Sequence, residues 1–264
     1  MRIITWNINS VRLREPSLLR LAKKHEPDII CLQETKCPNE AFPEKKLRGL
    51  GYTHILKNGI KGYHGVAIIS RVPIVGSHQI DYCRRKDGRH LCATIKSGRR
   101  TIDIHNFYVP AGGDEADVKT NEKFAHKMSF VREMCRRLQG DDPQYALLMG
   151  DLNIAPYEHD VWSSQQLQKV VSHTPQERKA LNKLLQTCDW QDVARHFVSA
   201  DEKLYSWWSY RSTDWKKSDR GRRLDHLWVT KSLLKAVQGF EILKAVRGWQ
   251  RPSDHVPVIM DIDI

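Results

Sequence analysis

Two uninterrupted apolar runs of strand length, Ile29-Ile30-Cys31-Leu32 and Tyr145-Ala146-Leu147-Leu148-Met149, set the strongest limit on how this chain folds. A strand that is apolar on both faces must be covered on both, which a one-sided sheet cannot provide. Each run leads straight into polar residues, Gln33-Glu34-Thr35-Lys36 in one case and Gly150-Asp151-Leu152-Asn153 in the other. Polar groups delivered to the end of a buried strand are where sites are built.

Further strands are predicted at Ile3–Trp6, Gly65–Ser70, Leu91–Ile95, Thr101–Tyr108, Leu224–Val229 and Val256–Ile262. Helices are predicted at Pro16–His25, between Lys119 and Gln139, and after Pro175 through Leu181, Leu184 and Leu185. The second is the strongest, because Phe124, Met128, Val131, Cys135 and Leu138 recur every three or four residues. Many strands with a few helices between them suit an α/β fold of two packed sheets with helices outside. With 264 residues and no repeat or low-complexity linker, the whole span 1–264 reads as a single domain. The polar, basic stretch Ser209–Arg223 reads as a long functional loop.

Charge narrows the partner. Lys and Arg number 43 against 31 Asp and Glu, a formal net charge of +12, which points to a polyanion such as nucleic acid. The six cysteines show no C-x-x-C spacing, so packed thiols are expected rather than zinc or a redox pair. Neither a secretory leader nor a stretch of about 18 apolar residues is visible, so a cytoplasmic protein without membrane contact is expected.

Four polar clusters sit beside apolar runs: Asn7 with Asn9, Glu34, Asp151 with Asn153, and Asp254 with His255. Singly, a strand-end Glu is a capping or solvated carboxylate and Asp-x-Asn is ordinary turn chemistry. Together they supply what a hard divalent cation needs, one or two carboxylates and further oxygens beside a phosphate. Such an ion polarises a phosphoryl oxygen while a neighbouring carboxylate deprotonates the attacking water. Glu34 suits the first task, Asp151 with Asn153 the second, and His255 paired with Asp254 would face the phosphorus as an imidazolium. Tyr108 equally fits a surface aromatic, Asp225 an ion pair with Arg222 or Arg223, and His90 and His105 packed or surface histidines.

The ordered segments Thr5-Trp6-Asn7-Ile8-Asn9 with Val11-Arg12, Leu32-Gln33-Glu34-Thr35-Lys36, Asn106-Phe107-Tyr108-Val109-Pro110, Gly150-Asp151-Leu152-Asn153, Arg222-Arg223-Leu224-Asp225 and Ser253-Asp254-His255-Val256-Pro257 cover nearly the whole chain. In that order and spacing they resemble exonuclease III and its relatives, the abasic-site endonucleases of the endonuclease/exonuclease/phosphatase superfamily. The resemblance implies a four-layered α/β sandwich. It also implies a DNA-repair phosphodiesterase that uses Mg²⁺, with Mn²⁺ as a substitute. Such an enzyme cuts 5′ to abasic sites in duplex DNA and trims recessed or blocked 3′ ends.

By the same resemblance Asn7, Glu34, Asp151, Asn153, Asp254 and His255 surround the metal, and Tyr108, Asp151, Asn153, Asp225 and His255 carry catalysis, Asp225 by orienting and charge-stabilising His255 or the leaving-group region. Arg12, Lys36, Tyr63 and Arg211 would contact DNA, and Trp207, Trp208 and Leu224 would wall a pocket for an extruded base-free sugar. Trp6, Trp190 and Trp228 are expected in the core instead. A monomer is expected, since one cleft suffices for the reaction.

Two departures stand out. Ala111-Gly112-Gly113 follows Tyr108-Val109-Pro110 where the family supplies a phosphate-contacting amide, and Arg222 stands where some relatives have an aromatic wall. They raise the rival reading of a 3′-exonuclease or 3′-phosphatase with weak abasic activity. A lipid-headgroup phosphatase and a noncatalytic DNA-binding protein are the remaining alternatives.

Overall fold

The computed structural model describes residues 1–264 apart from Asp142 and Thr213, so Thr213 of the predicted Ser209–Arg223 loop lies outside the described residues. Fourteen strands are described: β1 Arg2–Asn7, β2 Ile29–Gln33, β3 His54–Asn58, β4 Val66–Ser70, β5 Ile74–His78, β6 His90–Ser97, β7 Arg100–Tyr108, β8 Ala146–Asp151, β9 Trp190–Asp192, β10 Trp207–Trp208, β11 Gly221–Arg222, β12 Asp225–Thr230, β13 Val237–Ile242 and β14 Val258–Ile262. They form two six-stranded sheets, ordered β13-β14-β1-β2-β4-β3 and β5-β6-β7-β8-β12-β9, and a separate β10-β11 hairpin. Both sheets are mixed, because β1–β2 and β7–β8 pair in parallel while their other pairs are antiparallel.

Each parallel pair requires a crossover, and the predicted helices supply it: Glu15–His25 joins β1 to β2, and Glu122–Asp141 lies between β7 and β8. Alternate side chains then divide between two cores. Ile3, Cys31 and Val66 of one sheet meet Ile104, Leu147 and Met149 of the other between the sheets. Ile4, Trp6 and Ile30 turn outward onto Leu18, Leu21 and Ala22 of the first helix. Phe107, Leu148 and Trp228 turn outward onto Phe130, Met134, Leu181 and Leu184 of the second and of the helix Pro175–Gln186. Two-sided cover explains the uninterrupted apolar runs, and the fold is the expected α/β sandwich. No helix among the described residues is long and apolar enough to cross a membrane.

The Ser209–Arg223 stretch is not a plain loop. It contains the helix Trp215–Ser218, capped by Asp214 through the Lys217 amide, and strand β11. The crossover connections leave Asn7, Tyr108 and Asp151 at the C-terminal ends of β1, β7 and β8, and Glu34 follows the last residue of β2. Cross-strand register puts Tyr108, Asp151 and Asp225 side by side.

Candidate active site

Asn7 is the hub. Its fully buried side chain donates from Nδ2 to Glu34 Oε1 at 3.0 Å and Asp151 Oδ2 at 2.8 Å, and the same nitrogen lies 3.4 Å from His255 Nε2. Around it, Tyr108 donates its hydroxyl to Glu34 Oε1 at 2.8 Å, and Lys36 Nζ pairs with Glu34 Oε2 at 2.7 Å. His255 Nε2 is 3.6 Å from Asp151 Oδ2, while its Nδ1 is 2.8 Å from Asp225 Oδ2. Asp151 also accepts from the Asn153 backbone N–H at 2.9 Å and from Asn153 Nδ2 at 3.2 Å.

Local backbone strain marks the cluster. Asn9, Glu34, Lys36 and Asn153 all have φ between 47° and 54°, a region non-glycine residues enter sparingly. These turns re-aim the chain immediately after a strand, which brings side chains from different strands to one point. Both Glu34 and Asn153 are held there by hydrogen bonds, Glu34 from Asn7 and Tyr108, and Asn153 Nδ2 to the Val109 carbonyl at 2.9 Å.

Burial and charge set the protonation. Burial works against an ionised Glu34, but Lys36, Asn7 and Tyr108 outweigh it and hold the carboxyl below its usual range. Burial pushes Asp151 up to about 7, opposed by His255 and Asn7. Burial would lower His255, yet Asp225, Asp151 and Asp254 together lift it to about 10, so it stands as an imidazolium at neutral pH. Its Nδ1–H then donates to Asp225 and its Nε2–H points toward Asp151.

Asp254 is tied further out. It accepts from Asn9 Nδ2 at 3.1 Å and from the Trp207 indole N–H at 2.9 Å, and is not the carboxylate on His255. Asp225 fills that place, in line with what the resemblance implies for it, while the Asp254–His255 pair expected from the residues alone and the simple Asp225–arginine ion pair are not formed. Arg223 instead binds Asp160 and Asp192 at 2.8 Å each.

The tryptophans separate. In the β10-β11 hairpin Trp207 opposes Arg222, and neighbouring side chains on a strand face opposite ways. Trp207 packs with Leu224 and Trp162 at an open cleft of about 1160 Å³, lined also by Val170, Val171, Arg211 and Arg220. Trp208, 1% exposed, turns away to Tyr205, Val256 and Trp215 and donates to Asp219 at 3.0 Å. Trp208 therefore supports the hairpin and is not a pocket wall, while Leu224 backs Trp207 from the core. Trp6, Trp190 and Trp228 are buried as expected.

Among the expected DNA contacts, Arg12 and Arg211 are exposed and Tyr63 is 71% exposed. The Tyr63 loop is pinned to the Glu34 loop by the Lys36 N–H to His64 O bond at 2.9 Å and the Thr35 N–H to Gly65 O bond at 3.0 Å. Lys36 is engaged inside the cluster, since its ammonium also donates to Asn9 Oδ1 at 2.7 Å.

Several contributors carried no sequence signal. Ser206 Oγ donates to Asp225 Oδ2 at 2.6 Å and accepts from the Leu224 and Asp225 amides. Arg14 joins the Asn9 carbonyl, the Tyr210 hydroxyl and the Pro252 carbonyl, tying three loops at the rim. Both are lone polar residues most of whose partners lie 18 or more positions away in sequence.

The donors around Asn7 are carboxylates and amides, which suits a hard divalent cation rather than a thiol-seeking metal. Two further overlapping groups, His78 with His90 and His105, and Cys92 with Asp103 and His105, lie on β5–β7. His90 Nδ1 accepts from the Ile80 amide, leaving Nε2–H to face His105 Nδ1 at 3.1 Å, and His105 Nε2 lies 3.9 Å from Cys92 Sγ. His90, His105 and Cys92 thus spend their donors on one another, and His78 meets the two imidazoles only by ring contact.

The model of the Endonuclease/Exonuclease/phosphatase family matches residues 4–255. Exodeoxyribonuclease III of Haemophilus influenzae is 30% identical over 268 residues, covering 98% of each chain. An AP endonuclease from Archaeoglobus fulgidus superposes with a TM-score of 0.91 at 31% identity, and the 3′ phosphatase NExo from Neisseria, bound to a product DNA hairpin, with 0.91 at 28%, each covering 100% of both chains. With the site at the strand ends and the similarity running the length of the chain, this protein belongs to the endonuclease/exonuclease/phosphatase family and is a DNA-repair nuclease of its exonuclease III and AP endonuclease group.

Proposed function

We propose that the chain is a Mg²⁺-dependent phosphodiesterase that hydrolyses the backbone 5′ to abasic sites in duplex DNA and also processes 3′ ends. The carrying observation is the convergence of Asn7 on Glu34 and Asp151, with the Asp225–His255 pair beside them. Glu34 and Asp151, assisted by Asn7, Asn153 and, further out, Asp254, are the oxygen donors that would hold Mg²⁺ or Mn²⁺. Held by these residues, the ion would offset the negative charge that builds on a phosphoryl oxygen.

The protein groups carry the rest. Asp151, ionised, takes a proton from water as the water oxygen attacks phosphorus. Asn153 orients that water and fixes the carboxylate. His255, held by Asp225, places an imidazolium against the phosphate, and Tyr108 lies where its hydroxyl can donate to a phosphate or leaving oxygen. The bond from phosphorus to the 3′ oxygen breaks and that oxygen takes up a proton, leaving a 3′-hydroxyl and a 5′-phosphate. Arg12, Tyr63 and Arg211 stand exposed for DNA, and Trp207 with Leu224 behind it offers an apolar wall to a base-free sugar. This reading takes the chain as one catalytic domain acting as a monomer.

A second reading, 3′-end processing with weak abasic incision, has its own support. The Arg222 guanidinium lies 5.2 Å from the Trp207 ring and donates to Val171 O and Ser172 Oγ, so a cation covers the apolar wall. The solved relative named as a 3′ phosphatase is as similar in shape as the one named as an AP endonuclease. Glu34→Ala and Asp151→Ala test the shared chemistry. Each should cut turnover on abasic and 3′-phosphorylated duplexes by roughly a thousandfold or more, and near-normal rates in both variants would refute the site.

A further inference from the structure

Lys127, on the helix Glu122–Asp141, is a fully buried lysine that none of the roles above uses. Its ammonium has three donors, and three acceptors from three separate segments surround it. Glu177 Oε1 lies at 2.5 Å, the Asn153 carbonyl at 2.7 Å and the Ala111 carbonyl at 3.1 Å. Glu177 is anchored in turn by the Ser172 amide at 2.9 Å, the Thr174 amide at 3.1 Å and the Thr174 hydroxyl at 2.7 Å, a capping box on the helix Pro175–Gln186. One cation thus joins the segment after β7, the Asp151–Asn153 turn after β8 and the start of a third element.

The glycines at the departure from the family pattern fit around this side chain. Gly112 has φ +94°, and a Cβ there would come within 2.9 Å of Lys127 Cδ and 3.0 Å of Val171 Cγ1. The Gly112 carbonyl is held by Asn121 Nδ2 at 2.9 Å, just before the same helix. Ala111-Gly112 thus makes room for the lysine stem and presents a carbonyl to its ammonium.

We infer that Lys127 is a positioning residue for the reaction: by gripping the Asn153 carbonyl it locks the left-handed turn that presents Asn153 to Asp151. A strained residue of this kind persists only where its surroundings over-determine it. Asn153 has φ 54°, and its backbone N–H and Nδ2 both bind Asp151, so a loosened carbonyl displaces the groups that fix the proposed base. Lys127 touches no reacting atom. The inference rests on the hydrolytic reading of this site.

The alternative is an ion pair that serves stability alone, and the two differ in what neutral replacement does. Replacing both charges of a buried pair by neutral groups is often harmless to stability. In Lys127→Met/Glu177→Gln the glutamine oxygen still caps Ser172 and Thr174 while the Asn153 carbonyl loses its donor. The double variant should keep its melting temperature within about 4 °C of wild type. Its KM for DNA should stay within about threefold while kcat falls roughly 10- to 100-fold.

Gly112→Ala keeps both charges but displaces the lysine stem, and carries the same expected loss of kcat. Wild-type kcat in a folded double variant overturns the inference. If the double variant does not fold, wild-type kcat in Gly112→Ala overturns it. A wild-type protein inert on abasic, recessed and 3′-phosphorylated duplexes would overturn the hydrolytic reading and this inference with it, whereas an active wild type matched by its variants overturns the role of Lys127 alone.

Discussion

Asp225 and His255 meet through a 2.8 Å bond between Oδ2 and Nδ1, both buried, with Ser206 Oγ 2.6 Å from the same carboxylate oxygen. The pair fixes the imidazole's orientation and keeps it charged. Asp225→Asn keeps the shape and removes the charge, so His255 loses the largest influence that raises it. Turnover should fall by roughly 10²- to 10⁴-fold. The alkaline limb of the pH–rate profile should also move to lower pH, which a rate series from pH 6 to 10 would show. An unchanged limb would mean that His255 is not the group titrating there.

The wild-type profile has its own sign. Asp151 acts ionised, so the rate should climb as pH rises through its titration; its carboxyl sits at about 7 without a cation, and a divalent cation beside it moves that limb to lower pH. His255 acts protonated and sits at about 10, so the rate should fall above it. Stability follows a separate course. The native state raises His255 above its ordinary 6.5, so its contribution is complete below 6.5 and is lost as pH climbs through about 10. Asp151 is raised above its ordinary 3.8, so between there and about 7 it opposes folding increasingly as pH rises. Thermal melts across this range, read beside the rates, separate the two courses.

Trp207 and Trp208 should respond differently although they are neighbours. Trp207→Ala removes the wall of the cleft and the donor to Asp254, so KM on abasic duplex should rise by about tenfold or more at a nearly unchanged melting temperature. Trp208→Ala empties a buried site against Tyr205, Val256 and Trp215 and should cost about 3–5 kcal/mol of stability. Equal effects on KM would contradict the division of faces.

Much of this was legible in the sequence, and what was not has a common physical origin. The strands read from apolar runs are the central ones, buried on two faces. Besides the short β10-β11 pair, the strands without a sequence signal, β3, β5, β9 and β13, are the four sheet edges, where β3, β5 and β13 are largely half-buried or exposed and the apolar pattern fades. The metal-side residues are legible because Asn7 and Asp151 close buried strands, Glu34 and Asn153 come just after such strands, and Asp254 and His255 stand just before β14. Trp208 was misread because Trp-Trp on one strand hides which side each ring takes. Ser206, Arg14 and Lys127 act through partners as much as 238 positions away, so nothing local marks them.

Arg223 tests the frame beneath the site. Its guanidinium is fully buried between Asp160 and Asp192, and Arg195 shares Asp160 at 2.6 Å. Arg223→Met leaves two buried carboxylates short of a cation and should destabilise the fold by about 3–5 kcal/mol. Denaturant unfolding measures this directly, and a loss under about 1 kcal/mol would mean the network relaxes without it.

The most direct measurement is cleavage of a duplex carrying one tetrahydrofuran abasic analogue, run with Mg²⁺ and with EDTA, beside recessed and 3′-phosphorylated duplexes. The proposed chemistry predicts Mg²⁺-dependent incision on the 5′ side of the analogue, ending in a 3′-hydroxyl, and no product in EDTA. An abasic duplex left intact at enzyme excess would contradict it, with turnover confined to the 3′ ends assigning the site to 3′-end processing instead.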